Sequence, residues 1–139
     1  MDEQVAVQVK KLRKELSSGT VALALLSILS KAKEPLYGYQ IAKQFERPGL
    51  NAKPSTKKSS EKQGSLYPVL RNMSAKGLLD SETVPSLSGP PRRYYTISAL
   101  GRLVLAQWLE IWQQTQIFVN DIIGLNDEKS DDKIGGCNE

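Results

Sequence analysis

Histidine is absent from this 139-residue chain, and cysteine occurs once, at Cys137. Without histidine the commonest general base and the commonest metal ligand are both missing. A single thiol forms neither an internal disulfide nor a thiolate metal cluster. Neither G-x-S-x-G nor G-x-x-x-x-G-K-[ST] occurs, so the usual nucleophile and phosphate-loop signatures are missing too. The expectation is a non-enzyme with no metal and no cofactor. No apolar run approaches the ~20 residues of a membrane span. The opening MDEQVAVQVKKLRKEL lacks the apolar segment and cleavage site of a secretory signal. A reducing, cytoplasmic protein without membrane contact is therefore expected.

What the chain does have is an uneven charge. Residues 1–120 carry 17 Lys/Arg against 9 Asp/Glu, a balance of +8, and residues 121–139 carry 2 against 6, a balance of −4. A basic body with an acidic tail suits a polyanionic partner, or else it is an ordinary solvated basic surface.

Apolar spacing marks the elements. Val5, Val9, Leu12 and Leu16 form one helical stripe among Lys10, Lys11, Arg13 and Lys14. The cluster Ser17-Ser18-Gly19-Thr20 reads as the end of that helix, with Ser18 or Thr20 capping the next. TVALALLSILSK (Thr20–Lys31) is apolar nearly all round and is the candidate central helix. Glu34-Pro35-Leu36 is a break. YGYQIAKQFE (Tyr37–Glu46) is a short third helix with Ile41 and Phe45 inward. Arg47–Gln63, rich in Pro, Ser and Lys and locally +4, reads as a flexible loop.

SLYPVLRNMSAK (Ser65–Lys76) is the next helix. Ser65 reads as its N-cap, with Pro68 in the first turn, where a missing N–H is tolerated. Leu66, Val69, Leu70 and Met73 face in, and Gly77 stops it. LLDSETVPS and RYYTI, separated by a Gly-Pro turn, form a β-hairpin. Ser98 caps a long last helix, Ala99 to about Gly124. Leu105, Trp108, Trp112, Thr115, Val119 and Ile122 recur on it at three and four, with Val104, Ile111 and Phe118 in a second row. Two apolar rows of that length call for a second copy of the chain as cover.

Three helices followed by a hairpin make a winged helix-turn-helix, whose second motif helix enters the DNA major groove. The fold expected is mainly α (α+β). It comprises an N-terminal helix (1–17), the winged helix-turn-helix domain (18–98), a C-terminal dimerisation helix (99–124) and a disordered acidic tail (125–139). At the helix start a free backbone N–H row suits a phosphate, and Gly64 permits close approach. Ser65 and Tyr67 offer hydroxyls, Pro68 an apolar face for a thymine methyl, and Arg71 a fork for guanine or phosphate. Alternatively Tyr67 packs in the core and Arg71 is a solvated charge. Arg92 and Arg93, placed in the hairpin turn, suit a minor groove or the backbone, or simply keep a turn soluble. Tyr95 and Ile97 share one strand face and Tyr94 and Thr96 the other, so one tyrosine is core.

YGYQIAK, GSLYPVLRNMSAKGLL and GPPRRYYTISALGR, in this order over about Thr20–Arg102, resemble the PadR family of transcriptional regulators. The resemblance implies a winged-helix homodimer that binds a palindromic site in double-stranded DNA, most simply as a repressor. It implies backbone contacts from Tyr37, Gly38 and Tyr39, from Ser65, Tyr67 and Pro68, and from wing Arg92 and Arg93; Lys43 is a further candidate for DNA. The last helix would make the dimer. The loop 47–63 is longer than the family pattern, and is either an added basic contact or a disordered insertion. A short C-terminal region places the chain among the smaller members, which include a regulator of a circadian clock gene. Some members bind planar aromatic effectors beside tryptophans of the last helix. Trp108 and Trp112 either do this or pack in the interface. The competing reading is a winged-helix protein–protein module without DNA binding.

Overall fold

The computed structural model describes residues 2–46 and 59–125, with side chains from 65 onward in the second stretch. Of the loop expected over 47–63, residues 47–58 lie outside the described residues and 59–63 are helical, and the tail expected over 125–139 lies outside them from 126 onward. The elements run α1 (Glu3–Lys31), β1 (Leu36–Tyr37), α2 (Gly38–Gln44), α3 (Ser59–Ala75), β2 (Leu79–Val84), β3 (Arg92–Ile97) and α4 (Ala99–Ile123). The chain divides into two units, Met1–Leu105 and Ala106–Glu139.

The first helix does not break at Ser17–Thr20. α1 is continuous over both predicted helices, and Asp2 caps it, its carboxylate accepting from the Gln4 N–H at 3.3 Å. The Thr20 hydroxyl donates back to the Leu16 carbonyl at 2.8 Å. It is thus spent inside the helix rather than on a new N-terminus. Gly19 weakens the helix by only about 1 kcal/mol relative to alanine, too little to end a helix anchored downstream. Burial begins at Thr20, and Leu25, Leu26 and Leu29 enter the core. Residues 2–19 are exposed.

The hairpin gains a third strand. β1 pairs antiparallel with β3 (Leu36 opposite Tyr95, Tyr37 opposite Tyr94), and β2 pairs with β3 from Leu79–Ile97 to Val84–Arg92. The sheet order is β1-β3-β2. Tyr37 therefore ends a strand and precedes α2; it is not the first residue of the helix.

α3 starts earlier than its sequence suggests. It begins at Ser59, so Ser65 is not an N-cap and Pro68 lies inside the helix. The row of free N–H groups expected at Ser65 is not there, and with it goes the backbone phosphate seat. Leu66, Leu70 and Met73 face the core. The C-terminus is as expected. Gly77 sits at φ +81°, its N–H bonds the Ser74 carbonyl at 3.0 Å, and the Leu78 N–H bonds the Met73 carbonyl at 2.9 Å. This is a Schellman stop with buried Leu78 as its apolar contact.

Ser98 joins α3, β2 and α4. Its hydroxyl accepts from the Gly101 N–H at 2.9 Å, the expected cap, and donates to the Gly77 carbonyl at 2.6 Å. Its own N–H bonds the Leu78 carbonyl at 3.1 Å. Leu105, expected in the dimer seam, is instead 7% exposed and belongs to the core of the first unit. A heptad stripe is equally consistent with cover from the same domain, and here the first turns of α4 receive it. Beyond Leu105 the stripe is open: Trp108 is half-buried, while Trp112, Phe118, Val119 and Ile122 are exposed.

Candidate nucleic-acid interface

The outer face of α3 follows from its inner one. With Leu66, Leu70 and Met73 buried, the 3.6-residue period turns Ser65, Tyr67, Pro68, Arg71 and Asn72 to the surface. Tyr67 and Arg71, four apart, meet: the guanidinium lies 5.6 Å from the ring centroid. Tyr67 is therefore not a core residue, and Arg71 is not free in solvent, since a cation over an aromatic face is held there by the ring quadrupole. Gly64 precedes them within the helix.

Arg92 and Arg93 do not form the wing tip. They open β3, opposite Val84 and Thr83, and the tip between the strands holds fully exposed Leu87. Adjacent strand residues point to opposite faces, so the two arginines part company. Arg92 stacks over Tyr37 at 4.6 Å, and Tyr37 meets Tyr94 edge-on at 5.3 Å. That stack ties the wing to β1 just ahead of α2. Arg93 shares the other face with Tyr95 and Ile97, the strand's two buried residues.

Tyr95 is the core tyrosine, 1% exposed, and its hydroxyl has no hydrogen-bond partner among the described residues. Burial pushes its phenol above the usual range. Neighbouring Tyr67 adds to the rise, and Arg93 and then Arg71 oppose it. Arg93 approaches the hydroxyl electrostatically without completing a well-formed hydrogen bond. Charges and phenols from α3 and β3 thus bear on one buried hydroxyl.

On α2, Tyr39 is exposed and carries Lys43 over its ring at 5.8 Å. Gly38 is buried and offers no surface to a duplex. Tyr37 is half-buried under Arg92. Of the candidate contact residues, Tyr39, Lys43, Ser65, Tyr67, Pro68, Arg71, Arg92 and Arg93 are exposed. Sequence reasoning missed Tyr95 as a neighbour of this surface, although carrying the strand alternation back from Ile97 through Tyr95 reaches Arg93. The Tyr37–Arg92 stack had no local signal, because it joins residues far apart in the chain.

Among the described residues no helix is long and apolar enough to cross a membrane, and no acidic cluster is grouped to hold a metal ion. A three-stranded sheet behind an α2–α3 pair, with cations and phenols on the α3 and wing surface, defines a winged helix-turn-helix domain of the DNA-binding kind. The family model for PadR-like transcriptional regulators matches residues 25–107. The chain belongs to the PadR-like family. It is similar to a PadR family transcriptional regulator from Eggerthella lenta (27% identity, 88% of this chain and 97% of that one, TM-score 0.64). It is also similar to a PadR-like transcriptional regulator from Bacillus cereus (27% identity, 78% and 96%, TM-score 0.59). A putative transcriptional regulator from Thermoplasma acidophilum shares the fold at 24% identity (79% and 96%, TM-score 0.61). No curated protein sequence matches the chain.

Proposed function

We propose that this DNA-binding transcriptional regulator is a homodimeric repressor that recognises a palindromic promoter site. The observation that carries the reading is the α3 surface: exposed Tyr67 and Arg71 stacked at 5.6 Å, with exposed Arg92 and Arg93 on the wing. Exposed donors and cations suit a duplex backbone, and Arg71 lies one helical turn beyond Tyr67, within reach of a base edge. The open apolar stripe of α4 beyond Leu105 supports a second copy as cover, and a two-fold dimer reads a palindrome. In that seam Trp108 and Trp112 are the residues a planar aromatic effector would meet, which quenching of their fluorescence tests. The target, a clock gene among the expectations, is defined by selecting bound DNA from a random pool.

The test is competition binding on the chain's own and neighbouring promoters. Lys43, Arg71, Arg92 and Arg93 from two protomers give a slope of about −7 in log affinity against log salt. Arg92→Ala and Arg93→Ala should each weaken binding and flatten that slope. Absence of competitor-resistant binding by the purified dimer would remove the reading.

A further inference from the structure

A cavity of about 100 Å³ opens between the end of α1, the end of β3 and the first turn of α4. None of the exposed candidate DNA contacts lines it. Leu29, in the last turn of α1, and Ile97, at the end of β3, are 2% and 9% exposed and give it an apolar floor. Past the α1 C-cap at Ala32 the chain turns through Lys33 and Glu34 toward β1, and Arg102 stands on α4. These three charged residues line the cavity and are exposed. The rim thus has two cations and one carboxylate above an apolar floor.

Each surface excludes a class of ligand. A bare amine meets Glu34 but also two like charges, which repel it. An inorganic anion meets the cations but also the Glu34 carboxylate, and gains nothing from the floor. A purely apolar guest would desolvate three charged groups without pairing any of them. A molecule with a carboxylate, an ammonium and a short aliphatic part answers all three surfaces. The planar fork of Arg102 matches a carboxylate. Glu34 and the adjoining end of α1, where the last carbonyls lack intrahelical partners, suit an ammonium. An apolar cavity of ~150 Å³ admits benzene, so this smaller one suits a ligand of about six non-hydrogen atoms.

We infer that this cavity is a binding site for a small aliphatic α-amino acid. Its carboxylate lies on Arg102 and Lys33, its ammonium on Glu34, and its side chain over Leu29 and Ile97. The site does not depend on the DNA-binding reading, and its test needs no DNA.

The full-length chain is titrated with L-alanine and followed by two-dimensional amide NMR and by calorimetry. A ligand of that size suits a Kd on the order of 1 mM. Saturable shifts should centre on the amides of Glu34, Ile97 and Arg102, at one ligand per chain. Propionate lacks the ammonium and ethylamine lacks the carboxylate, so each should bind at least about tenfold more weakly. Glu34→Gln and Arg102→Gln, both at exposed positions, should melt like wild type and each lose about tenfold or more in affinity for L-alanine. Glu34→Gln should also bind propionate at least as well as wild type does, which separates a lost ammonium contact from general damage. Propionate or ethylamine binding as tightly as L-alanine overturns the amino-acid assignment. L-alanine affinity unchanged in either variant overturns the placement of the ligand. Absence of saturable shifts up to about 50 times the expected Kd overturns the site itself.

Discussion

Gly101→Ala should damage the fold far more than a helix-interior glycine normally predicts. In an open helix the change would help by about 0.5–1 kcal/mol, because alanine restricts the unfolded chain and favours the helix. Here a Cβ at position 101 would sit 2.2 Å from the Leu78 carbonyl oxygen, 2.8 Å from Ile97 Cγ1 and 3.2 Å from the Leu78 carbonyl carbon. The closest neighbour is backbone, which cannot rotate away, so α4 must shift by roughly 1 Å for ordinary contact. Overpacking of this kind costs about 1–3 kcal/mol. The shift also strains the Ser98 hydroxyl's bonds to Gly101 and Gly77 and the Ser98 N–H bond to Leu78, each worth about 1 kcal/mol. The net expectation is a loss of about 2–4 kcal/mol and a fall in melting temperature of about 10 °C. Calorimetry or thermal circular dichroism measures it. A variant melting within about 2 °C of wild type, or above it, would show that α4 is not held against β2 as described.

Two further substitutions address the elements that function depends on. Val119→Glu places a charge on the exposed stripe of α4 and should yield monomers in sedimentation at micromolar concentration with much weaker operator binding; an intact dimer would point to another interface. Pro68→Ala restores an N–H inside α3, so it should stabilise the domain by up to about 3 kcal/mol; an unchanged melting temperature would return Pro68 to a first turn, where its missing N–H is harmless.

The sequence was most legible where one residue had only one use. Gly77 at positive φ and Leu78 after it ended α3 as the pattern Lys-Gly-Leu-Leu suggested. Ser98 capped α4. The alternation Tyr95/Ile97 against Tyr94/Thr96 correctly made one tyrosine core, and packing made it Tyr95. It was least legible where a residue had two uses. Thr20 can cap a helix or bond back within one, and the buried half of α1 decided for the second. Pro68 favours a first turn, yet residues upstream with no apolar period still became helix. Leu105 satisfies a heptad whether a partner or its own domain covers it. β1 is two residues long, too short for any alternation to show.

The division of the wing arginines follows from the same strand alternation and changes what the wing can do. Arg92 is committed to Tyr37, and through it to the residue that precedes α2, so its cation helps hold the sheet edge against the helical pair. Arg93 lies on the opposite strand face, with buried Tyr95 and Ile97. A wing with both arginines at its tip could swing as a unit and grip any nearby phosphate. This wing has exposed Leu87 within the turn and both arginines at the turn end of β3, paired with Val84 and Thr83 of β2. Its cations are therefore set by the sheet rather than by the turn. Their spacing to α3 is a property of the folded domain, because the β2–β3 pairing holds them.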